Sequence, residues 1–97
     1  MTALFILAKE HRALADKLHD LDLDDQTIAD YKTTLQASPP LYIFQDVLYR
    51  LGELQYKMGN FAESNKYLTE ATTYFPNDER HHKVIFELGY SALKNKE

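Results

Sequence analysis

Leu48-Tyr49-Arg50-Leu51-Gly52-Glu53-Leu54-Gln55-Tyr56-Lys57-Met58-Gly59-Asn60-Phe61-Ala62-Glu63-Ser64-Asn65-Lys66-Tyr67-Leu68-Thr69-Glu70-Ala71-Thr72-Thr73-Tyr74-Phe75-Pro76-Asn77-Asp78 is the stretch around which this chain is organised. Gly59 supplies the left-handed backbone that ends a first helix. Asn60 can cap a second helix, and Glu63 three residues on completes the spacing of a capping box. Pro76 cannot continue a helix and pushes Phe75 out of helical geometry. The local code reads helix, tight turn, helix, stop.

The same residues resemble a tetratricopeptide repeat, whose pattern runs bulky residue, Leu-Gly, Tyr, Ala, Phe or Tyr, Ala and Pro over about 34 positions. With Gln45 as the first position, Leu48, Leu51, Gly52, Phe61, Ala71 and Pro76 fall where the family wants them. Gln55 replaces the usual Tyr, with Tyr56 one residue late, and Ser64 replaces Ala. The resemblance implies two antiparallel helices that touch at Gly52 and Ser64, where a large side chain would push them apart.

Slid against itself by 37 residues, the chain echoes. Leu14-Ala15 falls on Leu51-Gly52 and then on Leu88-Gly89; His11 falls on Leu48 and Ile85, Arg12 on Tyr49 and Phe86, Thr27 on Ser64, Tyr31 on Leu68 and Pro39 on Pro76. The expectation is an all-α stack of helical hairpins resembling tetratricopeptide repeats, an α-α superhelix of about five helices in one domain. Repeat one covers about residues 8–40, repeat two about 45–78, and a last helix about 78–95 either caps the stack or seeks a partner. Small residues at 15, 52 and 89 would let successive hairpins nestle together.

Helix by helix, the spacing predicts Ala3 to Asp20, Asp25 to Ala37, Leu41 to Met58, Phe61 to Phe75 and Asp78 to Lys94. Leu4, Leu7, His11, Leu14, Leu18 and Leu21 form an apolar seam on the first helix. His11 in that seam reads as a core or interface histidine with a satisfied ring nitrogen. Asp22, Asp24 or Asp25 reads as the cap of the second helix, because a calcium loop starting at Asp20 lacks its Gly and its final Glu. Ser38-Pro39-Pro40 ends that helix. Leu41, Phe44, Val47, Leu48, Leu51 and Leu54 wrap most of the third helix, and Tyr42, Tyr49 and Tyr56 form a stripe every seven residues. His81-His82 is adjacent, so the two rings cannot face one metal on a helix; a solvated helix start is expected.

Composition sets outer limits. Of 97 residues, 44% are apolar and 27% charged, as in a folded globular domain. A net charge of −4 argues against a phosphate-backbone partner, so no nucleic acid is expected. There is no cysteine, hence no disulfide or thiolate chemistry. The apolar run from Ala3 to Ala8 is too short for a membrane span or a signal core, so no membrane insertion is expected and the compartment reads as cytoplasmic, or periplasmic if an export signal was removed. Tyr74-Phe75-Pro76-Asn77-Asp78 followed by Phe86-Glu87-Leu88-Gly89-Tyr90 is similar to bacterial envelope proteins of the repeat family, those related to outer-membrane assembly lipoproteins and to the Tol-Pal-associated division factor. Met1 to Asp30 also resembles the start of a family of small helical phage proteins, which would make the chain a chimera with a junction near Asp30.

No catalytic constellation emerges: there is no phosphate-binding glycine loop, no thiol nucleophile and no arranged Ser, His and acid, so no enzyme and no cofactor are expected. The resemblance implies that the first helix of each repeat lines a concave groove. Its ligand-facing positions fall on Lys9, Arg12, Asp16 and His19, then on Asp46, Tyr49, Glu53 and Tyr56, then on Lys83, Phe86, Tyr90 and Leu93. The partner-binding set is therefore Arg12, Asp16, Tyr49, Arg50, Glu53, Tyr56, Lys83, Phe86 and Tyr90. Rings beside charges suit a peptide, although Tyr49 and Tyr56 could equally pack between helices. Asp16, Glu53 and Glu87 would repel a carboxylate terminus, so a protein or peptide with basic and apolar residues is the expected partner. The alternative is a self-associating structural protein, a homodimer through helix one or through the open face of helix five.

Overall fold

A computed structural model of the chain describes residues 2–18 and 21–95. Among these residues there are five α-helices and no strand: α1 (Thr2–Leu18), α2 (Leu21–Gln36), α3 (Leu41–Lys57), α4 (Phe61–Tyr74) and α5 (His81–Asn95). The all-α hairpin architecture is the expected one. Two helix starts are not. α2 begins four residues early, and α5 three residues late because Asp78 to Arg80 fold into a turn. In that turn the Asp78 carboxylate accepts the Arg80 backbone N–H at 2.8 Å and both arms of its guanidinium at 2.9 Å. The chain divides into two compact units, Met1–Val47 and Leu48–Glu97, with the division inside α3.

In the first unit α1 packs on α2 through a partly polar contact. Phe5 and Ala8 are buried, whereas Leu7 and Leu14 are exposed, so the predicted leucine seam is displaced by one residue. Leu4, Leu18 and Leu21 lie outside the described side chains. The physical reason is the composition of α2, which buries Asp24, Thr27, Asp30, Tyr31 and Thr34. The two carboxylates, Asp24 and Asp30, need donors, and α1 turns His11 and Arg12 toward them. His11 Nδ1 lies 2.6 Å from Asp30 Oδ2, whose other oxygen accepts the Gln26 amide at 3.1 Å. Arg12 Nη1 donates to Asp24 Oδ1 at 3.1 Å. His11 is thus half-buried with a satisfied ring nitrogen, as its seam position implied. The expected aspartate cap is overturned, since Asp24 and Asp25 sit inside α2. No calcium loop can form along this continuous helix; Asp20 and the Asp22 side chain lie outside the described residues. α2 ends where Ser38, ahead of Pro39, takes φ 52°.

In the second unit the sequence code of the turn is met in part. Gly59 has φ +80°, a conformation that suits glycine. Asn60 holds the N-cap position of α4 but makes no side-chain cap bond. Its side-chain amide donates instead to Gln55 Oε1 at 2.8 Å, which ties the turn back to α3. Phe75, at φ −131° and ψ 60°, has left the helix ahead of Pro76. Leu48, Tyr49, Leu51, Leu54, Tyr67, Leu68, Ala71 and Val84 are buried. The α3–α4 contact closes at Gly52, where the Ser64 hydroxyl donates to the Gly52 carbonyl at 2.9 Å. A Cβ on Gly52 would lie 2.7 Å from Leu68 Cγ and 3.3 Å from the Leu68 backbone nitrogen. Gly89 does not repeat this, because a Cβ there would meet nothing within 4 Å. The expectation of three equivalent small-residue contacts holds at Gly52, fails at Gly89, and for Ala15 falls on a side chain outside the described set. Leu41 and Tyr42 are exposed, so neither the apolar wrap nor the tyrosine stripe of α3 is continuous.

Candidate protein-binding face

Within the second unit α3 and α5 bring four of the predicted contact residues together. Lys83 Nζ lies 3.7 Å from Glu53 Oε2 and 3.8 Å from Glu87 Oε1. Both separations exceed a good charge-assisted hydrogen bond, so the ammonium, itself exposed, is loosely held. One turn further along, the Tyr56 and Tyr90 rings meet edge to face at 5.9 Å, and Phe61 from α4 makes the same contact with each. Lys94 Nζ sits 5.6 Å above the Tyr90 ring. The result is an aromatic triad beside an acid–lysine–acid cluster.

The cluster carries surplus negative charge. Glu53 Oε1 and Glu87 Oε2 are buried and have no hydrogen-bond partner. Burial, and after it the neighbouring Glu53 charge, push the Glu87 carboxyl above its ordinary value, while Lys83 pulls the other way. Two carboxylates facing one ammonium leave capacity for a second cation.

The remaining predicted residues fall elsewhere. Tyr49 is fully buried and contributes packing: its hydroxyl donates to the Phe75 carbonyl at 2.8 Å and the Arg80 guanidinium lies 4.7 Å from its ring centre. Burial, then Asp78, raise the Tyr49 pKa against the opposing pull of Arg80. The groove role for Tyr49 is therefore corrected to a structural one. Phe86 is exposed. Arg50 is half-buried on α3. Arg12 belongs to the first unit, held by Asp24, as does Lys9, whose ammonium covers the Phe5 ring at 5.1 Å. The Asp16 side chain and His19 lie outside the described residues.

Glu87, read from the sequence only as a charge that would repel a carboxylate terminus, joins the cluster itself. The spacing rule passes over Phe61, which could have been found as the aromatic directly after the Gly59-Asn60 turn. His81 opens α5 half-buried with its ring edge-on to His82 at 5.9 Å. Among the described residues no group of three acids or histidines is placed to hold a metal ion. No helix among them is long and apolar enough to cross a membrane.

The helix–turn–helix of α3 and α4, closed at Gly52 and Ser64 and stopped at Pro76, is the part of the chain that is similar to a known family. Residues 45–78 match the tetratricopeptide repeat family model. No curated protein and no solved structure matches the chain. The match runs from the second turn of α3 to the turn before α5, so α5 stands outside it.

Proposed function

We propose that the face built by α3 and α5 binds a protein or peptide segment that presents a basic side chain beside apolar ones. The observation that carries this reading is the pair Glu53 and Glu87 around a loosely held Lys83, next to Tyr56 and Tyr90. An incoming arginine guanidinium displaces the lysine ammonium and offers planar, paired donors to two carboxylates that have unfilled acceptors. Rigid rings beside it bury apolar side chains with little loss of rotamer freedom. A net charge of −4 favours the same class of partner over polyanions. The role is recognition without chemistry.

The test is a pair of labelled helical peptides that differ only in one central residue, Arg or Glu, flanked by leucines. Fluorescence anisotropy against the intact chain should show binding of the Arg peptide, weakened by added salt, and none of the Glu peptide. Glu53→Gln and Tyr90→Ala should each reduce that affinity, and Tyr49→Phe should leave it unchanged. Equal binding of the two peptides, or indifference to both face variants, would overturn the assignment.

A further inference from the structure

Glu53 of α3 and Glu87 of α5 face one ammonium, and each keeps an oxygen that it leaves unsatisfied. Lys83 Nζ approaches Glu53 Oε2 to 3.7 Å and Glu87 Oε1 to 3.8 Å. Glu53 Oε1 and Glu87 Oε2 are buried and have no hydrogen-bond partner among the described residues. The Glu87 side chain is 10% exposed and that of Glu53 27%, whereas Lys83 stands 70% in solvent. Ser91, one turn on from Glu87, gives its carboxylate nothing, because the hydroxyl donates to the Glu87 carbonyl at 2.8 Å. With both acids ionised, two largely buried negative charges share one mostly hydrated positive charge. A carboxyl in such a place relieves the crowding by taking a proton.

We propose that, in mildly acid medium, binding of the basic segment at this face expels a proton from Glu87, so that acid weakens the partner's hold. The inference rests on the reading of this face as a site for an arginine-bearing segment. In the free chain Glu87, the more buried of the two acids, takes up the proton as the medium acidifies. A guanidinium entering between the acids supplies donors to both bare oxygens and a charge that favours two carboxylates. The Glu87 O–H bond breaks, its electron pair stays on the oxygen, and the proton passes to water. The complex then binds fewer protons than the free chain, and affinity climbs with pH between the carboxyl midpoints of the two states.

The surrounding charges point the same way. Burial and then Glu53 hold the free Glu87 carboxyl above its ordinary value, against the pull of Lys83. On the neighbouring α4, Glu63 and Glu70 bear on Tyr67, and in the turn before α5, Asp78 and Arg80 bear on Tyr49. Glu53 and Lys83 are thus the charges that set the coupling.

The probe is the leucine-flanked helical peptide with one central arginine, acetylated and amidated so that nothing in it titrates between about pH 4.5 and 8. Calorimetry against the intact chain should show affinity falling on the acid side by up to about tenfold per pH unit, the limit for one proton. At about pH 5.5, acetate and MES buffers should give binding heats that differ by the ionisation of up to one released proton. Glu87→Gln should flatten the profile and abolish the buffer difference. The Glu87 carboxyl carbon resonance, identified by its loss in that variant, should titrate at lower pH with saturating peptide than without. Absence of binding at every pH overturns both the basic-segment reading and this inference. Binding whose strength does not change with pH leaves that reading standing and overturns the proton coupling. So does a profile that Glu87→Gln retains, which would belong to the histidines, or a carboxyl midpoint that the peptide does not move.

Discussion

The Ser64 hydroxyl donates to the Gly52 carbonyl at 2.9 Å, and that one bond marks where α3 and α4 come closest. Leu68, one turn beyond Ser64, fills the space a Gly52 side chain would need. Gly52→Ala should therefore destabilise the chain by about 1–3 kcal/mol through overpacking, despite the better helix propensity of alanine. In a Leu68→Ala background the same change should cost less, because its obstacle is gone. Gly89→Ala is the opposite case, with open space around it, and should stabilise by about 0.5–1 kcal/mol. Urea titration of the four variants measures all three effects.

Tyr49 is anchored at both ends of its side chain, by the Phe75 carbonyl on its hydroxyl and by Arg80 over its ring. Tyr49→Phe keeps the ring and removes the bond, and should lower stability by about 1 kcal/mol. The Asp78 N–H, 3.2 Å from the same Phe75 carbonyl, keeps that oxygen partly satisfied and caps the loss. Chemical denaturation of the variant tests the figure.

Positions set by backbone sterics could be read from the sequence: Gly59 with its positive φ, Phe75 forced out of the helix before Pro76, and Gly52 with no room for a Cβ. Positions set by a choice among side-chain partners could not. Asn60 had the residue type and spacing of a cap, yet its amide found Gln55. Asp24 had the place of a cap and found Arg12 of α1, twelve residues earlier, a link that neither hydrophobic period nor turn chemistry suggests. The leucines of α1 obeyed helical spacing, but periodicity fixes a face only when its neighbour is apolar, and α2 buries two aspartates. At the candidate site the same limit applies. Glu53, Tyr56, Lys83 and Tyr90 followed from repeat spacing, while the burial of Tyr49 depended on Phe75 and Arg80 arriving from beyond the repeat's first helix.

His11 and Asp30 carry the polar half of the α1–α2 contact at 2.6 Å. His11→Ala leaves a buried Asp30 with only the Gln26 amide, and should cost about 1–3 kcal/mol. Combining it with Asp30→Ala should cost less than the sum, since the stranded carboxylate is then removed as well. A double-mutant cycle by thermal melting gives the coupling directly.

Glu87 offers a pH signature. Burial and then Glu53 raise its carboxyl pKa in the folded chain, with Lys83 in opposition. A raised carboxyl means that the fold holds the proton more tightly than the unfolded chain does. Its contribution to stability is therefore complete below the ordinary carboxylate range and is lost as pH climbs through the raised value. Glu87→Gln, which keeps the shape and cannot ionise, should gain stability relative to the parent chain as pH rises from about 4 to 8. Urea midpoints of both proteins across that range test this, and a difference that stays constant with pH would mean that Glu87 titrates alike in the folded and unfolded chain.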